Sequence, residues 1–299
     1  MQNQAKPKRP DWTILKLLQW TASYFRSHDI DSPRVTAEIL LAHVLRVRRI
    51  DLYLRYDQPL TEDELTRFKA AIQRRIRREP VAYITGVKEF WSMDLAVTQD
   101  VLIPRPETEC LVEETLRVMP VESSSPPGRI IELGTGSGAV ILALASQSSQ
   151  HDYFASDISI RAVELARSNA KRQGLLGKIH FFCGDWFSSL KSDRGLFDCI
   201  VSNPPYIRTR DIPRLQPEIY EYEPAGALDG DENGLSCLRA IIAEAYRHLK
   251  PGGWLLLEIG HDQKEVVEDL IRAGGHYDQV HCTQDYSGYD RVVRVRRRA

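Results

Sequence analysis

From residue 129 onward, short apolar runs rich in β-branched residues alternate with segments of helical periodicity. Such alternation predicts βαβ units, and hence a mostly parallel, doubly wound α/β sheet with helices on both faces. Ligands of such sheets bind beyond the carboxyl ends of the strands, where the strand order reverses. Seven strands are predicted, at 129–133, 153–156, 179–183, 196–201, 254–259, 277–282 and 291–295.

Two prolines follow the fourth predicted strand and forbid continuation of a helix or a β-ladder. In this stretch Asn203 offers an amide acceptor and donor, Pro204 and Pro205 have carbonyls but no N–H, and Tyr206 supplies a flat ring. These groups suit a planar amide or amino nitrogen, whose hydrogens are accepted while its face lies on the ring. The alternative interpretation is a rigid surface turn.

The loop Gly134-Thr135-Gly136-Ser137-Gly138 follows the first strand and leads into a predicted helix. Glycines there let the backbone turn sharply and approach a ligand closely. The Gly-x-Gly-x-Gly spacing after acidic Glu132 differs from the Gly-x-Gly-x-x-Gly of dinucleotide binders. It resembles motif I of class I S-adenosylmethionine (SAM) methyltransferases, although a plain tight turn has the same appearance.

Acidic residues end the second and third predicted strands. Asp157 can accept hydrogen bonds from both ribose hydroxyls of a nucleoside cofactor, and Asp185 with Trp186 stands where such enzymes hold the adenine. Trp186 is also a candidate core residue, because large aromatic side chains are often buried.

The composition is that of an ordinary globular chain of 299 residues, long enough for two domains. No membrane span or signal peptide is predicted, and five scattered cysteines indicate buried thiols in a reducing, cytoplasmic setting, with no metal site. The net charge of −1 argues against a general nucleic-acid binder. The balance is +4 over residues 1–100 and −5 over residues 101–299, which suggests different tasks for the two parts.

The first 85 residues predict a small helical bundle, with helices over 11–28, 33–47 and 61–79. Ser32 is expected to cap the second helix, and Thr61 with Glu64 forms a capping box for the third. The third helix carries four arginines. An exposed, solvated helix face is favoured for them over a binding site for an acidic partner or RNA. These are Arg74, Arg75, Arg77 and Arg78.

A β-hairpin is predicted over 87–93 and 94–103, followed by a helix near 107–118 and a linker at 122–128. The predicted organisation is therefore a helical domain at 1–85, a hairpin linker at 86–104 and a catalytic domain at 105–299.

The motifs together resemble the HemK/PrmC family of protein-(glutamine-N5) methyltransferases, over nearly the whole chain. The resemblance is carried by Asp157 and by residues 80–86, 101–109, 132–138, 185–187, 203–206, 222–224, 227–230 and 257–260. One departure is Asp231, where relatives usually carry a second glycine. The resemblance implies the class I SAM-dependent methyltransferase fold.

By this resemblance the cofactor is S-adenosyl-L-methionine, and the substrate is the glutamine of the Gly-Gly-Gln motif in class 1 peptide chain release factors. The helical domain would dock the release factor, with no membrane and no stable nucleic-acid partner. The implied cofactor residues are Gly134, Thr135, Gly136, Ser137, Gly138, Asp157, Asp185, Trp186 and Asn203. The implied catalytic residues are Asn203, Pro204, Pro205 and Tyr206.

Two other functions remain open from the sequence. An N6-adenine nucleic-acid methyltransferase could use the same Asn-Pro-Pro-Tyr stretch, because the adenine amino group is also planar and conjugated. A SAM-binding protein without turnover would bind the cofactor whatever substrate is offered.

Overall fold

The computed structural model describes residues 12–120, 127–190 and 195–299. The chain divides into two compact units, Met1–Gly86 and Val87–Ala299. Most of the linker predicted at 122–128 lies outside the described residues.

The first unit is helical, and its core is formed by apolar side chains that recur at helical spacing, including Leu18, Phe25, Leu41 and Phe68. Two of its helices, α3 and α5, are absent from the sequence prediction because each is too short to show a helical period. The helices are α1 (Ile14–Arg26), α2 (Pro33–Leu45), α3 (Arg49–Leu54), α4 (Glu62–Ile76) and α5 (Val81–Thr85).

Two helix caps are predicted, at Ser32 for α2 and at Thr61 with Glu64 for α4, and the structure has only the second. The capping box is confirmed: Thr61 Oγ1 accepts from the Glu64 N–H, and the Glu64 carboxylate accepts from the Thr61 N–H. The predicted Ser32 cap is wrong, because Ser32 has a left-handed backbone, with φ +47°, and its side chain makes no capping hydrogen bond.

The predicted solvated arginine face on α4 is wrong in part. Arg75 is only 5% exposed, and its guanidinium donates to the Glu79 carbonyl. Arg74 binds the Glu79 carboxylate at 2.5 Å. The end of α4 is therefore held by arginine contacts within the first unit.

The second unit contains a two-stranded antiparallel hairpin and a seven-stranded sheet. The strands are β1 (Val87–Phe90), β2 (Met93–Ala96), β3 (Arg129–Leu133), β4 (Asp152–Asp157), β5 (Ile179–Cys183), β6 (Phe197–Ser202), β7 (Leu249–Glu258), β8 (Tyr277–Gln284) and β9 (Asp290–Arg297). The helices are α6 (Glu109–Val118), α7 (Ala139–Gln147), α8 (Ile160–Arg172), α9 (Pro217–Tyr220), α10 (Ser236–His248) and α11 (Lys264–Gly274).

The strand order in the large sheet is β5-β4-β3-β6-β7-β9-β8. The first five strands in this order are parallel, and β9 runs antiparallel to both β7 and β8. The order reverses between β3 and β6, so the sheet has its switch point there. The predicted doubly wound, mostly parallel sheet of seven strands is confirmed.

The hairpin is shorter than predicted, because residues 97–103 form no strand. Val97, Val101 and Ile103 are buried although they belong to no β-ladder. The Ile103 N–H donates instead to the Glu223 carboxylate at 3.1 Å. The apolar run thus reflects packing rather than strand pairing.

The five cysteines are all free, and Cys110 and Cys199 are buried as predicted, whereas Cys183 is exposed. Among the described residues, no helix is long and apolar enough to cross a membrane. Within the residues that the structure describes, no cluster of His, Cys, Asp and Glu side chains could hold a metal ion.

Candidate active site

A cavity of about 550 Å³ lies in the second unit and is lined by the loops that follow β3, β4, β5 and β6, together with the segment 99–108. Leu133 of β3 is the register partner of Ser202 of β6. Gly134 and Asn203 are therefore the first residues beyond two neighbouring parallel strands. Residues predicted for the site that line this cavity are Gly134, Thr135, Gly136, Ser137, Asp157, Asp185, Trp186, Asn203 and Pro205.

The loop between β3 and α7 depends on its three glycines. Gly134, Gly136 and Gly138 have φ of +72°, +54° and +85°, a region that side chains with a Cβ rarely adopt. A Cβ on Gly138 would also lie 3.2 Å from the Ala166 Cβ. The Thr135 N–H donates to the Ser156 carbonyl at 2.9 Å, which fixes the loop to the end of β4.

Asp157, the last residue of β4, is held by backbone N–H groups. Its two carboxylate oxygens accept from the Gly136 N–H and the Ser159 N–H, both at 2.9 Å. Burial raises the pKa of Asp157, and these N–H groups oppose that shift. Each oxygen keeps a lone pair, so the carboxylate can still accept a hydroxyl of a ligand.

Glu132 is a second carboxyl group on the cavity wall, and it is almost completely buried. It accepts the Thr135 hydroxyl at 2.6 Å and the Ile141 N–H at 3.1 Å. Burial raises the pKa of Glu132 to about 8, against the lowering effect of these two donors, and the nearby Asp157 carboxylate raises it further. Glu132 thus ties the glycine loop to the first turn of α7.

The turn after β5 carries Asp185 and Trp186. The Asp185 N–H donates to the Ser188 hydroxyl at 3.1 Å, and Trp186 has a left-handed backbone with φ +44°. The Trp186 ring packs against one hydrophobic cluster of the sheet and also lines the cavity. Trp186 therefore belongs both to the edge of the core and to the cavity wall, and its contact with an adenine stays a prediction.

The Asn203 side chain has a defined partner. Its Nδ2 donates to the Thr108 hydroxyl at 3.2 Å, which leaves its carbonyl oxygen available to another donor. The Tyr206 hydroxyl donates to Glu258 Oε1 at 3.1 Å, and the ring packs against the hydrophobic cluster of the sheet. Pro204 and Tyr206 are not among the residues that line the cavity.

Two buried side chains brace the cavity wall and the acceptor motif. Glu223, in the loop that follows β6, accepts the Ile103 N–H and binds the Arg105 guanidinium, and Arg105 lines the cavity. Gln263 is also buried, and its Nε2 donates to the Tyr206 carbonyl at 3.0 Å and to the Gly234 carbonyl at 2.9 Å. Both contacts join segments far apart in the sequence.

Comparison with known proteins gives near full-length relatives. The chain is 42% identical over 282 residues to a release factor glutamine methyltransferase of Geobacter sulfurreducens, covering 94% of this chain and 96% of the relative. It is 43% identical over 265 residues to that of Salmonella typhimurium, covering 89% and 92%. The chain belongs to this family.

Two family models also match this methyltransferase: the PrmC N-terminal domain over residues 16–86 and the methyltransferase small domain over residues 111–217. A methyltransferase structure from Pyrococcus furiosus superposes with a TM-score of 0.51 at 18% identity, covering 77% of this chain and 98% of that one. The last likeness concerns the fold alone. The predicted family, class I fold, enzyme class and SAM cofactor are confirmed.

The roles of single residues in this methyltransferase stay predictions, but their placement is defined. The structure brings the glycine loop, Asp157, Asp185, Trp186 and Asn203 to one cavity. Gly138 does not line the cavity but supports the loop close to Ala166. The Tyr206 hydroxyl binds Glu258, and the predicted stacking of the Tyr206 ring on the acceptor amide stays a prediction.

Sequence reasoning missed the part of the cavity wall between residues 99 and 108. Arg105 and Thr108 lie there, yet their partners Glu223 and Asn203 are about a hundred residues away in the sequence. The signal available was Arg105 between two prolines, since such a rigid segment holds a charged side chain in a fixed direction.

The departure from the family pattern at Asp231 has a local structural counterpart. Asp231 has φ +76°, in the region that favours glycine. Its side chain accepts from the Glu232 N–H at 2.9 Å. Aspartate tolerates this conformation better than most residues, so the loop closes without the second glycine.

Proposed function

We propose that this methyltransferase transfers the methyl group of S-adenosylmethionine to the side-chain amide nitrogen, N5, of the glutamine in the Gly-Gly-Gln motif of class 1 release factors. One observation carries the proposal: Asn203, its amide nitrogen already bound by Thr108, lines the same cavity as the glycine loop. The substrate implies a cytoplasmic enzyme, since translation terminates there.

The cavity suits the cofactor in size and in chemistry. A volume of about 550 Å³ lies within the usual range for small-molecule sites. We assign the ribose hydroxyls to Asp157, the adenine to Asp185 and Trp186, and the remaining tail to the glycine loop. When bound, the cofactor supplies a methyl carbon made electrophilic by a sulfonium.

The acceptor is a poor nucleophile, because the lone pair of an amide nitrogen is delocalised into its carbonyl. The free Oδ1 of Asn203 accepts one N–H of the substrate glutamine, and the Pro204 carbonyl accepts the other. These bonds raise the electron density on nitrogen and direct its lone pair along the line of transfer. Neither acceptor has to move during the reaction.

No strong general base is required in this scheme. The nitrogen becomes more acidic as it gains the methyl group, and its surplus proton leaves after transfer. Toward the substrate amide, Asn203 and Pro204 act only as acceptors of hydrogen bonds, so a neutral side chain is sufficient at position 203.

The helical unit is proposed to dock the release factor. Four large apolar side chains in and just after α3 are more than half exposed, which is typical of an interaction surface. They are Ile50, Tyr53, Leu54 and Tyr56, with exposures of 55%, 53%, 73% and 55%.

The test uses purified protein and methyl-labelled SAM with three acceptors: a release factor, the same factor with its motif glutamine changed to alanine, and adenine-containing DNA or RNA. We expect label only on the unmodified release factor, with mass spectrometry locating one added methyl group on glutamine. Label on nucleic acid alone, or on the alanine variant, would contradict the proposal.

Asn203→Ala tests the acceptor site directly. Loss of the positioning oxygen is expected to lower kcat by a factor on the order of 10². Asn233→Ala, a change at an exposed position in the loop that follows β6, is the matched control and should leave kcat unchanged. An Asn203→Ala enzyme with the wild-type rate would remove Asn203 from the mechanism.

A further inference from the structure

Thr108 is buried, with 4% of its surface exposed, and lies in a short turn just before α6. Its hydroxyl oxygen accepts the amide hydrogen of Asn203 at 3.2 Å. Both residues line the cavity. The proposed function uses this contact only as the reason why Asn203 Oδ1 is available, and assigns Thr108 no role in catalysis.

The direction of this hydrogen bond determines which end of the Asn203 amide faces the substrate. A threonine hydroxyl has one hydrogen to donate and two lone pairs. If the hydroxyl donated to Asn203 Oδ1, the amide would turn and present its NH₂ group to the cavity. Two NH₂ groups would then face each other, and the substrate amide would lose its acceptor.

Glu258, the last residue of β7, gives the Thr108 hydrogen a destination. It is only 1% exposed, and its Oε1 already accepts the Tyr206 hydroxyl at 3.1 Å. Its Oε2 is buried, and within the described residues no hydrogen bond of ordinary geometry reaches it. Burial raises the pKa of Glu258, and Glu107 adds to the rise, while the hydroxyls of Thr108 and Tyr206 and the charge of Arg291 oppose it.

We propose that Thr108 is a positioning residue: with its hydrogen directed at Glu258, its oxygen holds Asn203 Nδ2 and keeps Asn203 Oδ1 turned toward the acceptor amide. This assignment rests on the proposed function. In its ionised form Glu258 accepts hydrogen bonds but cannot donate them, so the Thr108 hydroxyl then points its hydrogen at Glu258 and its lone pair at Asn203 Nδ2. The hydroxyl of Tyr206, in the acceptor motif, donates to the same Glu258 carboxylate.

Thr108→Val removes the hydroxyl and keeps the shape of the side chain. We expect kcat to fall by a factor of roughly 10 to 10², with the KM for release factor and the dissociation constant for SAM changed less than about threefold. Thr108→Ser restores the hydroxyl and should recover most of kcat. Thr115→Val, which removes another buried threonine hydroxyl at 0% exposure, is the matched control and should keep full activity.

A second measurement is independent of turnover. The chain has four asparagines, so selective ¹⁵N-asparagine labelling gives few side-chain amide signals. The Asn203 Nδ2 hydrogens should exchange with solvent slowly in the wild type and in Thr108→Ser, and faster in Thr108→Val.

Glu258→Gln, which replaces an obligatory acceptor, should also lower kcat without weakening SAM binding.

The outcomes separate this inference from the function on which it rests. A wild-type enzyme that does not methylate release factor refutes the proposed function. An active wild type with an equally active Thr108→Val variant refutes the positioning role alone. Equal losses in Thr108→Val and Thr108→Ser would also refute it, because restoring the hydroxyl would then restore no activity.

Discussion

The buried carboxyl of Glu132 makes the stability of the second unit depend on pH. Its pKa is raised to about 8 in the folded chain, mainly by burial, whereas an ordinary glutamate has a pKa of 4.5. Between these values the folded state keeps a proton that the unfolded state releases. The free energy of unfolding contributed by this group therefore falls as the pH rises from about 5 to 8, by roughly 4 kcal/mol.

Glu132→Gln should remove that part of the pH dependence. The glutamine oxygen can still accept the Thr135 hydroxyl and the Ile141 N–H, but it does not ionise. Urea unfolding at several pH values between about 5 and 8 measures the effect as a difference between variant and wild type. Parallel pH profiles for the two proteins would show that Glu132 does not titrate in this range.

Asp231→Gly should stabilise the loop that follows β6. A non-glycine residue at φ +76° carries backbone strain that glycine avoids, so a gain of about 1 kcal/mol in the free energy of unfolding is expected. Asp269→Gly, inside α11, is the control and should destabilise by a similar amount, because glycine is a poor helix former. A lower melting temperature for Asp231→Gly would mean that its hydrogen bond to the Glu232 N–H outweighs the strain.

At the scale of the element, alanine variants at the junction of the glycine loop and α7 distinguish the cost of backbone strain from the cost of steric crowding. Gly136→Ala adds a Cβ in open space at φ +54°, so only backbone strain of about 1 kcal/mol is expected. Gly138→Ala adds the same strain at φ +85° and also crowds Ala166 and Leu142 at 3.2 Å, which costs about 1–3 kcal/mol more. Gly177→Ala has neither problem and should be neutral.

Denaturant unfolding of the three glycine variants measures this order directly. Calorimetric titration with SAM adds a second reading, because both loop variants displace backbone that lines or supports the cavity. Equal unfolding free energies for Gly136→Ala and Gly138→Ala would show that α8 yields to the added methyl group at no cost.

Elements with a clear period could be predicted from the sequence, and short or long-range features could not. The alternation of strands and helices from residue 129 predicted the seven strands β3 to β9, though not their order in the sheet, and two motifs at strand ends indicated one rim. α3 and α5 span six and five residues, too few for a period. The bracing of the site by Glu223, Glu258 and Gln263 depends on which distant strand ends become neighbours, and no local pattern encodes this.

At the scale of the whole molecule, the two units carry different parts of the proposed reaction. The cavity residues all belong to the second unit, so methyl transfer to a short acceptor peptide should require only that unit's chemistry. The exposed apolar side chains of α3 belong to the first unit and do not line the cavity. Recognition of an entire release factor should therefore be separable from catalysis by mutation.

Leu54→Asp tests this division of tasks. Leu54 is 73% exposed, so the substitution should not unfold the helical unit, but it places a charge in the proposed docking surface. We expect the KM for an intact release factor to rise about tenfold, with the rate on a short Gly-Gly-Gln peptide unchanged. Val266→Asp, at a 45% exposed position of α11, is the matched control. Equal KM values for Leu54→Asp and the control would place the docking surface elsewhere, whereas loss of activity on the short peptide would show that the helical unit contributes to the chemistry itself.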